Sequence, residues 1–405
     1  MTLGLLSLIK ARFRSPDCAL GRPILANGLH LPALDAIRGL AILMVTAYRF
    51  NGGHSSRETG GSLLSLFESG FRGVDLFFVL SGFLITGILY DAKGKSHYFR
   101  NFYMRRTLRI FPLYYGALVV VFVVLPMASP WAHSLFRDAA DHQGWLWAYG
   151  TNVYQAWTGQ WAFGRFNHFW SLAVEEHFYL IWPFVIHFLA RRTALRACAI
   201  IFCLSWGARV SWLAFGGNDA AAEVFTLFRV DSLVAGAWLA LVARGPLGIK
   251  GLVPVAWIGL LASGAALAVL AFLNRRFLTA TDPLFASFFG SLIVLASSLR
   301  RDTWLGQTLG GRFLCFLGKY SYGMYVFQNL LIPVAAPFLS AERIEDVLHS
   351  AIGGRIAYIA IMSLITVGLA FLSYHAYEKH FLRLKAFFAD SKSLMETERS
   401  LSPKT

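Results

Sequence analysis

The segment His168-Phe-Trp-Ser-Leu-Ala-Val-Glu-Glu-His-Phe-Tyr-Leu-Ile-Trp-Pro183 places His168, Ser171, Glu175 and Tyr179 near one helical stripe by i+3, i+4 and i+7 spacing. A histidine one to two turns from a carboxylate can serve as a general base with its orienting partner. A helix entering from a polar interface also holds such groups for hydration alone, and that reading stays open. Arg38, Arg49, Asp75, Glu176, Arg209, Arg229 and Asp231 are further ionisable groups inside apolar runs. Charge within a span is costly, so these groups need partners, water or a function. The sequence predicts that most of them line one interior cavity. Arg38 and Arg49 stand about three helical turns apart and share a face, roughly 16 Å from each other along the axis. Ion pairing with Asp35 or Asp75 is the structural alternative for each arginine.

The elements that must position these groups are membrane helices. The chain has 405 residues, of which 56% are hydrophobic and 15% charged, with mean hydropathy +0.54. That is a bilayer composition rather than a globular one. Apolar runs broken by Gly, Pro and charge predict ten spans, near 35–51, 71–90, 108–127, 169–189, 195–215, 224–243, 252–273, 283–299, 316–338 and 354–376. The expected fold is an all-α polytopic bundle with both termini cytosolic: an N-terminal segment 1–30, an integral membrane domain 31–385 and a polar tail 386–405. The formal charge of +15 sits in short Lys and Arg blocks on one side of these spans, which is positive-inside topology and no sign of nucleic-acid binding. The bacterial-type inner membrane, with lipid as partner, is the expected location. Cys18, Cys198, Cys203 and Cys315 are scattered without metal-ligand spacing, and no metal is expected. The Trp- and Tyr-rich segment 127–167 suits an interfacial aromatic belt or a sugar-stacking surface.

Six motifs occur in a fixed order: Leu34-Asp-Ala-Ile-Arg38-Gly, Gly73-Val-Asp75-Leu-Phe-Phe-Val-Leu-Ser81-Gly-Phe, Tyr103-Met-Arg105-Arg106-Thr-Leu-Arg109-Ile-Phe-Pro112, Trp170-Ser-Leu-Ala-Val-Glu175-Glu176, Arg229-Val-Asp231-Ser-Leu and Leu317-Gly-Lys-Tyr-Ser321-Tyr-Gly-Met-Tyr325. Together, over about residues 31–385, the chain resembles the acyltransferase 3 family of membrane O-acyltransferases. The resemblance implies acyl transfer from a cytosolic donor such as acetyl-CoA to a hydroxyl on the far side of the membrane, in a polysaccharide, peptidoglycan or lipid-linked sugar. It also implies that Arg38 and the pair Arg106 and Arg109 bind the donor. A guanidinium fork can grip the phosphates of CoA, although positive-inside topology alone also puts basic residues there.

One position departs from the pattern. Where the family carries a histidine eleven residues after the Arg38 position, implied to be the catalytic base, this chain reads Tyr48-Arg49-Phe50. A second position where relatives often show histidine reads Val326-Phe327-Gln328-Asn329. Guanidinium cannot accept a proton near neutral pH, so Arg49 can hold an anion or stabilise an oxyanion but cannot replace a base. His168 with Glu175 behind it is the expected replacement, ahead of His54, and Asp75 completes the expected catalytic set. A non-catalytic relative that binds a donor or glycan is the alternative; an ion-coupled transporter is disfavoured by the lack of an inverted repeat.

Overall fold

The computed structural model describes residues 32–52, 65–128, 134–272, 281–298 and 311–388. Among these the chain is helical throughout, with no strand. Ten long helices organise it: α1 Pro32–Phe50, α2 Gly73–Ala92, α3 Tyr98–Val119, α4 Trp170–Phe188, α5 Arg191–Ala214, α6 Thr226–Ala243, α7 Val253–Phe272, α8 Asp282–Ser298, α9 Arg312–Ala335 and α10 Ala351–Ser373. Each overlaps one of the ten expected spans. Six helical runs are long and apolar enough to cross a membrane: Ser69–Ala92, Tyr98–Met127, Arg191–Ala214, Asp219–Ala243, Val253–Phe272 and Ala351–Phe388. The protein is therefore read as a multi-pass membrane protein. The helices α1, α4 and α9 fall outside those six, and α8 is apolar but shorter.

Local sequence explains the helix ends. Pro32 opens α1, where its missing N–H has no intrahelical partner to lose, Asp35 occupies the first turn and Arg49 the last, so both charges complement the helix dipole. α3 and α4 each carry an internal proline, Pro112 and Pro183, and phenols of neighbouring helices bond backbone carbonyls near them. Tyr98 and Tyr103 donate to the Pro183 and Leu180 carbonyls of α4, and Tyr322 donates to the Ile110 carbonyl of α3.

Two helix pairs hold the centre, α1 with α9 and α2 with α6, and both meet through reciprocal glycines. A Cβ added at Gly39 of α1 would lie 2.0 Å from the Leu314 carbonyl oxygen of α9, and one at Gly318 of α9 would lie 1.9 Å from the Asp35 carbonyl oxygen. Gly82 of α2 and Gly236 of α6 stand in the same relation to Leu233 and Val79, each at 1.9 Å. The backbones pack where any side chain would collide, which is how apolar helices gain contact in a solvent as apolar as themselves. Gly82→Ala is expected to cost about 1–3 kcal/mol by overpacking. Thermal unfolding of the purified protein in nanodiscs checks this, and an unchanged midpoint would show that the pair has room to spare.

The aromatic segment is only partly interfacial. Trp157 is 79% exposed, in keeping with a belt, but Tyr149 is buried and stacks on Tyr114 with ring centroids 4.0 Å apart. Trp147 stacks on Tyr115, whose hydroxyl donates to the Trp147 carbonyl, so this loop is clamped onto α3.

Candidate active site

One cavity gathers the chemistry. Its walls come from α1 (Arg38), α2 (Phe77, Phe78, Ser81), α3 (Arg106, Arg109, Ile110), α4 (Ser171, Glu175, Glu176, Tyr179) and α9 (Ser321, Tyr322, Tyr325). Two carboxylates and three guanidiniums thus share a space floored by phenylalanines. Arg38 is tied to Asp35, with Nη1 donating to Oδ1 at 3.0 Å, so the structural ion pair and the cavity-lining role both hold for this residue. The Arg106 guanidinium stacks 4.6 Å over the Tyr179 ring. The hydroxyls of Tyr179 and Ser81 lie 2.5 Å apart and face Glu175. Glu176 keeps one buried carboxylate oxygen, Oε1, without a hydrogen-bond partner. Such an oxygen is costly to leave unpaired, so it can accept a hydrogen bond from a group entering the cavity.

Of the expected site residues, Arg38, Arg106, Arg109 and Glu175 come together here. His168, Arg49 and Asp75 do not line this cavity. His168 lies in a 3-10 turn, Gly164–Phe169, ahead of α4, and is fully buried. Its Nε2 stands 3.0 Å from the Tyr325 carbonyl oxygen, which can only accept, so Nε2 carries the proton. Its Nδ1 is then the acceptor for the Asn329 side-chain amide at 3.1 Å. Both ring nitrogens are engaged, and the imidazole clasps α9 instead of facing an acceptor. The Tyr325 hydroxyl returns the contact by donating to the His168 carbonyl at 2.8 Å and also bonds Ser171. Arg49, at the far end of α1, faces this His168–Tyr325 corner. His54 lies outside the described residues.

Asp75 belongs to a second, separate constellation. Arg72 donates to Asp75 at 3.1 Å, to Asp282 at 2.5 Å and to Thr281 at 3.3 Å. Arg229 bonds the other oxygen of Asp75, while Arg209 pairs with Asp231 and Asp282, each at 2.5 Å. Three arginines and three aspartates from four helical runs thus neutralise each other in the interior. The expectation of a single cavity for all the intramembrane charges is corrected: Asp75, Arg209, Arg229 and Asp231 form a closed network, because each finds an opposite charge at hydrogen-bonding distance. Arg72 and Asp282, its other two members, are not among the ionisable groups singled out from the sequence. The i,i+3 spacing of Arg72 and Asp75 was the available signal.

Among the described residues no cluster of three or more His, Cys, Asp or Glu side chains gathers as a metal site. The matching family model, described as an acyltransferase domain, covers residues 31–375. The chain is 29% identical over 371 residues to YrhL of Bacillus subtilis, a candidate peptidoglycan O-acetyltransferase, covering 86% of this chain and 54% of the relative. It is 29% identical over 332 residues to the peptidoglycan O-acetyltransferase OatA of Listeria monocytogenes (76% of this chain, 50% of the relative). It is 27% identical over 330 residues to the O-acetyltransferase OatA of Staphylococcus aureus (75% and 51%). The chain spans about half the length of these curated relatives. No solved structure gives a significant match. The six ordered motifs, the arginine-lined cavity and a family match over most of the sequence lead to one statement: the chain belongs to the acyltransferase 3 family of membrane acyltransferases.

Proposed function

We propose that this protein is a membrane O-acetyltransferase that moves an acetyl group from acetyl-CoA, arriving on the cytosolic side, to a hydroxyl of an extracytoplasmic carbohydrate. The observation that carries the reading is the cavity in which Glu175 and Glu176 stand beside Arg38, Arg106 and Arg109. The relatives that act on peptidoglycan support a glycan acceptor. The arrangement of the basic blocks supports ten spans with both termini cytosolic, which puts Arg106 and Arg109 at the donor's entrance in the inner membrane.

In this reading the Arg106 and Arg109 forks hold the donor phosphates and the thioester lies along the apolar floor. Glu176 takes the proton of the acceptor hydroxyl as its oxygen attacks the thioester carbonyl. The carbon–sulfur bond then breaks, and CoA leaves as a thiolate that takes a proton from solvent. The Ser81 and Tyr179 hydroxyls, bonded to each other and to Glu175, hold that carboxyl group beside the reacting centre. A carboxylate base removes the need for a histidine at position 49. His168 holds α9 against the start of α4, and Asp75 holds the charge network; both support the site without touching substrate.

The test is release of free CoA thiol by purified protein in nanodiscs given acetyl-CoA, with and without glycan acceptors. The parent protein is expected to turn over, and Arg49→His is expected to bring no activity that the parent lacks. The second reading, a non-catalytic binding relative, draws on Arg49 and on Gln328-Asn329 at the two positions where relatives carry histidine. Turnover by Arg49→His alone would establish it.

A further inference from the structure

α1 and α9 run side by side in the same direction. The Cys315 thiol donates to the Pro32 carbonyl at 3.3 Å and the Thr46 hydroxyl to the Gln328 side-chain oxygen at 3.1 Å, contacts that join positions 283 and 282 apart. The register thus holds along the pair. Arg49 follows Thr46 by three residues on the same face, and helical side chains lean toward the start of their own helix, so its guanidinium comes level with Gln328 and Asn329. Buried Tyr48 and Phe50 flank it, and Phe50 packs edge-on against Tyr358 with ring centroids 6.3 Å apart, which fixes the last turn of α1.

Three polar atoms at this corner are buried without a hydrogen-bond partner: Arg49 Nε, Gln328 Nε2 and Asn329 Oδ1. Gln328 is 0% exposed and Asn329 7%. Among the described residues Arg49 forms no ion pair. Glu68 and Glu223 act at longer range on Tyr48, and the cavity's Glu175 and Glu176 face Arg106. The interior arginines Arg72, Arg209 and Arg229, by contrast, each hold an aspartate. Two unanswered donors, one of them cationic, beside one unanswered acceptor match a carboxylate with a neighbouring hydroxyl. The corner adjoins the cavity: the Tyr325 hydroxyl of the cavity wall donates to the His168 carbonyl, and Asn329 bonds the His168 ring at 3.1 Å.

We infer that Arg49, with Gln328 and Asn329, binds a carboxylate of the acceptor, so that the preferred glycan is an acidic one. The inference rests on the reading of this chain as an acetyltransferase with a carbohydrate acceptor. Eight residues of helical rise, about 12 Å, separate His168 at this corner from Glu176, farther than one sugar ring reaches. The carboxylate therefore belongs to a sugar next to the one that is acetylated. The guanidinium offers its planar fork, the Gln328 amide a further donor, and Asn329 Oδ1 accepts from a sugar hydroxyl.

The experiment is calorimetric titration of the full chain, in nanodiscs of zwitterionic lipid, with two short glucuronic-acid-containing oligosaccharides that differ only in that one carries its carboxylates as carboxamides. Thiol release from acetyl-CoA is followed on the same preparations. The parent is expected to bind the carboxylate form at least about tenfold more tightly, which is about 1.4 kcal/mol. Arg49→Gln should lose that preference, and Gln328→Glu should lose it too, because its own carboxylate then answers Arg49. Each readout is a ratio within one protein, so partial misfolding of a variant cancels. Equal affinity of the parent for both forms, no affinity for either, or a preference that survives in either variant overturns the anion site, and thiol release would then still uphold the acetyltransferase reading. A parent that prefers the carboxylate form but releases no thiol with it overturns that reading and leaves Arg49 in a binding site.

Discussion

Replacing Glu176 by Gln will lower acetyl transfer by roughly 10²- to 10⁴-fold, the range that a positioned general base contributes. The amide keeps the shape of the carboxylate and removes its ability to take a proton. The free Oε1 of Glu176 is the oxygen at stake, and it lies in the cavity that holds the Arg106 and Arg109 guanidiniums. Glu175→Gln will reduce the rate less, because Glu175 faces the Ser81 and Tyr179 hydroxyls and acts by holding them. His168→Gln supplies the contrast. It disturbs the contacts to Tyr325 and Asn329, so it should lower the unfolding temperature while the folded fraction keeps most of its turnover. Rates per folded molecule, with thermal unfolding measured on the same preparations, separate the cases. A His168→Gln protein that folds well yet is as inactive as Glu176→Gln would return the base to the histidine.

The second large effect is on stability. Asp75→Asn is expected to cost about 3–5 kcal/mol, the penalty for leaving buried charge uncompensated. Asp75 receives Arg72 on one oxygen and Arg229 on the other, and all three side chains are almost wholly buried. The neutral amide takes from Arg229 the carboxylate it bonds and leaves Arg72 with Asp282 alone, in a medium that cannot solvate the excess charge. Asp282→Asn should behave alike, since it also receives two arginines, Arg72 and Arg209. Unfolding in nanodiscs measures both, and a shift of under about 0.5 kcal/mol, the scale of an ordinary surface substitution, would mean that water reaches the network.

The helices were legible in the sequence because an apolar run of bilayer length has few other uses. Arg38, Arg106, Arg109 and Glu175 were legible through ordered motifs, and the Ser171, Glu175 and Tyr179 stripe through helical spacing. His168 broke that spacing for a physical reason. It lies in a 3-10 turn ahead of α4, where its two ring nitrogens bond the Tyr325 carbonyl and the Asn329 amide of α9, partners that helical spacing within α4 cannot reveal. Partnership between distant helices was not legible at all. Arg72 and Asp282 are 210 positions apart in the chain, and periodicity says which face a residue occupies, never which neighbour that face will meet.

The closed charge network also bears on how the chain is made. Arg72 with Asp75 and Arg229 with Asp231 are near neighbours in sequence, and each pair enters the bilayer with its countercharge close by. Arg209 of α5 and Asp282 of α8 have no such companion in their own helices. On the scale measured for translocon insertion, a lone arginine at mid-membrane costs about 2.5–3.5 kcal/mol. As the nascent polypeptide emerges, α5 must wait for Asp231 and then Asp282 before its guanidinium is fully matched. Biogenesis of this bundle is thus a relay in which later segments secure earlier ones, and a chain truncated before α8 would present the membrane's quality control with an unfinished circuit.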